Sequence, residues 1–185
     1  MGSVSFPQGS IWSDSFELAI EQWYFNPSPF YFFTEYGEDS VDADNSQNEV
    51  WFSDDQSLLD GAPATCIVWS RGTEITAADV IFDADFDFTV SDSPSRSVAY
   101  TGSERPFVGT SIHELGHALG LNHENDEYNQ MGESWPHVNR NADTLHFHPG
   151  EDDSDGAVFL YGAVASGYQD VSVSHWKYLG RDDEY

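Results

Sequence analysis

From Ser13 to Phe25, apolar residues recur at helical spacing. Phe16, Ala19, Ile20 and Trp23 fall on one face, and Ser13 or Asp14 can cap the first turn. Asn26-Pro27-Ser28-Pro29 stops that helix. Four runs rich in aromatic and β-branched residues follow, at Phe30–Tyr36, Glu49–Ser53, Thr65–Ser70 and Asp79–Val90, each bounded by polar turns. In the last run aspartates interleave with Ile81, Phe82, Phe86 and Phe88, which predicts a strand with one wet face. Helical spacing returns from Phe107 through Leu119. Beyond it the chain is irregular and rich in Asn, Gly, Pro and His, with one more helical segment predicted at Asp153–Tyr161. Helix, strands, helix and then irregular chain predicts a layered α/β (α+β) domain with a looser C-terminal half.

No internal repeat or low-complexity linker divides the 185 residues. A single domain, 1–185, is therefore expected, with an N-terminal lobe over about 1–122 and a C-terminal lobe over about 123–185. Hydrophobic residues make up 39% of the chain, enough for a core, yet no apolar run reaches the roughly 18–20 residues of a membrane-spanning helix. The start, Met1-Gly2-Ser3, lacks the basic and apolar regions of a signal peptide.

Charge narrows the partners. Thirty-three acidic residues against six basic ones give a formal net charge of −27, which repels nucleic acid and anionic bilayers. It also opposes casual self-association at low salt, so a monomer is expected. The acids are mostly aspartate and the only lysine is Lys177, a composition suited to a salt-rich setting where screening over about 3 Å at 1 M removes self-repulsion. Calcium is a second use for the carboxylates clustered at Asp83/Asp85/Asp87 and at Glu151/Asp152/Asp153/Asp155, although neither has EF-hand spacing. The single cysteine, Cys66, lies in an apolar run and reads as a small buried hydrophobe rather than a reactive thiol.

The chemistry is concentrated in His113-Glu114-Leu115-Gly116-His117-Ala118-Leu119-Gly120-Leu121-Asn122-His123. On a helix, positions i and i+4 share a face, so His113 and His117 can present both imidazoles to one ion. Gly120 can take positive φ and end the helix in a sharp turn, letting His123 swing back as a third ligand. Three protein ligands with a fourth position open define a catalytic zinc site. Glu114 is placed to act on water without ligating the metal. A chance match to five such positions is on the order of one in 10⁵ or rarer. Lewis acid, general base and general acid together are what amide hydrolysis requires, so the reaction class is metal-assisted peptide-bond hydrolysis.

The segment from His113 to His123 matches the extended zinc motif of the metzincin metallopeptidases, HExxHxxGxxH. Met131 stands where those enzymes carry the methionine of their Met-turn, a hydrophobic floor beneath the metal. Asp152-Asp153-Ser154-Asp155-Gly156-Ala157-Val158-Phe159-Leu160-Tyr161-Gly162 resembles the matrixin stretch DDxxGxxxLYG. Ala78–Asp83 resembles the last strand before the zinc helix in bacterial matrixin-like peptidases. The resemblance covers roughly residues 75–162 and leaves 163–185 unmatched. It implies a twisted, mostly parallel five-stranded sheet with two long helices, and an irregular C-terminal lobe with one helix. It also implies a secreted zinc endopeptidase whose protein or peptide substrate pairs with an edge strand, for which Thr65–Ser70 is the candidate. Trp135, Pro136, His137 and Val138 match the outer wall of a substrate pocket in the family, with core packing by Trp135 the alternative.

The departures also carry information. Glu124 follows the third histidine where matrixins usually have serine, and Glu133 excludes a tyrosine ligand two residues past Met131. No histidine precedes His113, so a second, structural zinc is not expected. Cys66 lacks the context of a propeptide switch. His137, His146, His148 and His175 read as surface or capping side chains, with His146 and His148 able to share a second metal. Two other classes remain open: a proteolytically silent adhesin or scaffold that retains the zinc, and a calcium-dependent acidic binding module.

Overall fold

The computed structural model describes residues 4–36, 40–90, 104–125, 129–133, 139–141, 144–146 and 149–164, with backbone alone at 4–5, 139–141 and 144–146. Helix α1 spans Ile11–Trp23. Gly9 at φ +74° turns the chain into it, and Ser10 Oγ accepts the Ser13 N–H at 3.1 Å, so the cap lies three residues ahead of the predicted start. Phe16, Ala19, Ile20 and Trp23 are buried, as the spacing requires, while Ile11 and Leu18 face outward.

The main sheet contains β1 (Val4–Ser5), β2 (Val50–Ser53), β3 (Ala64–Arg71) and β4 (Glu74–Asp83) in the order β1-β2-β4-β3. A four-residue helix α2, Gln56–Leu59, lies between β2 and β3. The α/β class is as expected; the sheet differs in detail. Among the described residues it has four strands, and only β2–β4 is parallel, with Trp51 opposite Ile81. The β3–β4 pair is joined by the turn Gly72-Thr73, with Gly72 at φ +70°, and so tight a link forces an antiparallel pair. A bulge falls between Trp69 and Ser70, and β3 forms the sheet edge.

Residues 30–36 supply no strand, although their alternation predicts one. The Phe32 carbonyl is taken by the Tyr24 hydroxyl at 2.9 Å, and Phe33 is 82% exposed with no sheet face to cover it. The predicted strand at Asp79–Val90 is also two elements. It begins earlier, at Glu74, breaks where Asp83 Oδ1 accepts the Asp85 N–H at 2.9 Å, and resumes as the short β5 (Phe88–Thr89), parallel to β6 (Arg105–Pro106).

Helix α3, Phe107–Ala118, is buried over most of its length, and its first residue anchors it in an aromatic core. The Phe107 ring lies 4.6 Å from that of Phe82, which is itself fully buried and flanked by Phe52 at 5.7 Å and Phe88 at 5.8 Å. Trp23 Nε1 donates to the Ile112 carbonyl at 3.1 Å and locks α1 to α3. After α3 come the antiparallel pair β7 (Asn139–Asn141) and β8 (Thr144–His146), then α4 (Glu151–Tyr161). This last helix starts two residues before its predicted position.

Candidate metal centre

Both His113 and His117 project from α3, one turn apart. Leu119 caps the helix, and Gly120 at φ +96° reverses the chain, with its N–H on the His117 carbonyl at 2.8 Å. A Cβ at 120 would stand 3.3 Å from Ile75 Cδ1, a tight fit, and the positive φ calls for glycine. The reversal returns His123 to the helix face. The three Nε2 atoms then form a near-equilateral triangle: His113–His117 3.1 Å, His113–His123 3.2 Å and His117–His123 3.2 Å.

Two of the rings are oriented by backbone carbonyls, which can only accept. His113 Nδ1–H donates to Gln130 O at 2.6 Å, and His117 Nδ1–H donates to Leu121 O at 2.8 Å. Both Nε2 atoms therefore carry lone pairs directed at the same point. Burial, then the neighbouring imidazoles, pushes the His113 pKa down to about 3, and burial lowers that of His117. The neutral imidazole is the form that binds metal. Zinc–nitrogen bonds of about 2.0–2.1 Å in a tetrahedral set place nitrogens roughly 3.3 Å apart, so the triangle fits that ion. Among the described residues, these histidines are the group that can hold a metal; the carboxylates near Asp83 and Asp152 do not converge.

Glu114 is 5% exposed, and burial lifts its carboxyl to about 8, opposed by the charge of Arg105. Met131, next to Gln130 in the chain, is 1% exposed and packed on Gly116. Two supports were not evident from sequence. Asp153 Oδ2 accepts the N–H of Gln130 at 2.7 Å and of Gly150 at 2.6 Å, so one carboxylate at the start of α4 holds the residue whose carbonyl orients His113. Glu124 N–H donates to Met131 O at 3.0 Å and closes the loop between them. The resemblance around Asp153 was the available signal for the first; nothing in the sequence marks the second.

Cys66 on β3 is half-buried, and burial, then the Glu114 charge, raises its thiol far above the ordinary value, so no thiolate forms there. Trp135, Pro136, His137 and Val138 lie outside the described residues, as do His148 and His175. The side chain of His146 is likewise not described.

A family profile described as Matrixin matches residues 12–162, most of the chain, and the protein belongs to that family of zinc metallopeptidases. No curated protein gives a match.

Proposed function

We propose that this protein is a zinc-dependent endopeptidase, with His113, His117 and His123 as the metal ligands and Glu114 as general base. The convergence of three Nε2 atoms within 3.2 Å of one another carries this reading. Zinc at that point supplies Lewis acidity for activating water and polarising a carbonyl. Glu114 follows His113 on the same helix, and it takes a proton from the attacking water and returns it to the leaving nitrogen. Burial raises its carboxyl above the ordinary range, and the charge of a bound metal would draw it back toward the ionised form a general base needs. Met131 excludes water from the underside, and Gln130 and Leu121 hold the imidazoles in register.

The substrate is an extended protein segment. Strand β3 forms the sheet edge and packs against α3, so a chain adding to that edge runs beside the histidines. In this reading the protein acts outside the cell, as a monomer. No observation among the described residues favours a silent scaffold or a calcium-controlled module.

The test is hydrolysis of a denatured, quenched-fluorescent protein at low and molar salt. Chelator-sensitive cleavage is expected, with Glu114→Gln retaining one zinc per chain and losing turnover by at least 100-fold, on the order of a missing general base. Full zinc with no cleavage at any salt overturns the proposal.

A further inference from the structure

Six basic residues serve a chain of net charge −27, and two of them, Arg71 and Arg105, have described side chains. Arg71 is exposed at the end of β3. Arg105 is half-buried on β6, two residues before α3 begins. A guanidinium stays charged, and taking it out of water is costly unless an opposite charge lies close by.

Arg105 Nε donates to Thr110 Oγ1 at 3.0 Å, and the Thr110 hydroxyl donates in turn to Pro106 O at 3.0 Å. Thr110 is 2% exposed and belongs to the first turn of α3, so the guanidinium is laid along the helix. Glu114 lies four residues on from Thr110, on the same face and about one 5.4 Å turn away. Burial and then the Arg105 charge act on the Glu114 carboxyl, and the Arg105 charge also reaches His113. The Glu114 charge in turn supports that of Arg105 against burial. A tethered cation therefore lies on the N-terminal side of Glu114, while His117, three residues beyond it, lies on the C-terminal side. Three histidines leave a fourth position, and a carboxylate is itself a zinc ligand. A general base has to stay short of that position.

We propose that Arg105 is a positioning residue for Glu114: its guanidinium, tethered to the Thr110 hydroxyl, draws the carboxylate toward the start of α3 and keeps it from joining the three histidines as a ligand. The inference rests on the endopeptidase reading above. It predicts two effects of opposite sign. Removing a cation beside the histidines favours the binding of another cation there, yet it releases Glu114 from the place where it serves turnover. Loss of a merely structural side chain would weaken both.

Zinc affinity, from competition with a fluorescent chelator, and kcat and KM on the quenched protein substrate test this. Arg105→Met is expected to bind zinc roughly 5-fold more tightly than the parent. It is expected to lower kcat by roughly 10-fold or more with KM unchanged, the scale of a misplaced reacting group. Arg105→Lys should fall between the two. Beside Glu114→Gln, Arg105→Met should change kcat by no more than about 2-fold, because the two act as one unit. Thr110→Val cuts the tether and keeps the charge; it should shift both quantities in the same directions by smaller factors, and it decides the matter if Arg105→Met does not fold. Zinc bound no more tightly by these variants, or a kcat loss that persists in full beside Glu114→Gln, overturns the proposal. A parent that cleaves nothing overturns the endopeptidase reading instead, and the zinc affinities still decide for or against Arg105.

Discussion

Met131 packs on Gly116 so closely that a Cβ at 116 would fall well inside van der Waals contact distance of the sulfur. It would also meet Met131 Cε and Trp23 Cζ2 at 3.2 Å. The glycine lies in the turn between His113 and His117, so Met131 packs directly on the backbone that carries both imidazoles.

Gly116→Ala sets two effects against each other. Alanine gains about 1 kcal/mol of helix propensity, but overpacking a filled site costs typically about 1–3 kcal/mol. Met131 and Trp23 are both buried and cannot retreat, so overpacking wins. The variant is expected to melt several degrees lower and bind zinc more weakly, as measured by calorimetry and zinc titration. A variant equal to the parent in both would contradict this account of the contact.

Asp153 serves the site at second hand. Asp153→Ala strips the acceptor from two buried backbone N–H groups, each costing about 1–3 kcal/mol when left unpaired. Gln130 then loosens on its N–H side, and its carbonyl holds His113 less firmly, so zinc affinity should fall by at least 10-fold, as is usual for supporting partners. Asp153→Asn keeps one acceptor oxygen and should fall between Ala and the parent. Competition with a fluorescent zinc chelator gives the order.

Buried carboxylates set a pH signature. Asp79 is fully buried, its Oδ1 accepting the Glu49 N–H at 3.0 Å. Burial, then the nearby Glu49 and Asp42 charges, raises its pKa from 3.8 to about 6; burial raises that of Asp153 to about 6 as well. For a raised carboxyl, the stabilising contribution is complete below the unfolded pKa and is lost as pH rises through the folded one. These two groups therefore lower the melting temperature as pH climbs from about 4 to about 6. Asp79→Asn should flatten the curve over that window; melting scans at fixed salt decide it, and an unchanged slope would count against the assignment.

His113 and His117 hold their Nε2 lone pairs 3.1 Å apart, and the two repel each other without a cation between them. Stripping zinc with a chelator is therefore expected to lower the melting temperature by on the order of 10 °C, for metal present at about 1,000 times its Kd. Added zinc should restore it. The segment between Leu121 and Met131 should show the largest rise in hydrogen exchange, because both anchoring carbonyls lie in it.

The zinc motif was legible because it is local. Eleven consecutive residues contain the helix spacing, the turning glycine and all three histidines, so no long-range knowledge was needed to bring them together. Boundaries of α1 and α4 moved by two residues because capping is decided by particular side chains, Ser10 and Asp153, rather than by periodicity. The sheet was less legible. An alternating run such as 30–36 becomes a strand only if a neighbour accepts its backbone, and here a tyrosine hydroxyl took one of the carbonyls. Asp153 acts across 23 residues of sequence on Gln130, a link that spacing cannot reveal. Burial of Asp79 was equally hidden, since an aspartate beside Glu49 and Asp42 looks like surface until the strands pair.

Among the described residues the outer side of β3 pairs with no strand, which has a consequence for handling the protein. A sheet edge that accepts one extended chain is a template for others, including unfolded copies of the same protein. At low ionic strength the acidic surface keeps such copies apart. In molar salt that repulsion reaches only about 3 Å, and the restraint left is geometric. The bulge at Trp69/Ser70 breaks the ladder, so the unbroken run available for aggregation or self-digestion is 64–69. Concentrated, salt-rich preparations should therefore lose material through this edge sooner than dilute ones of low ionic strength.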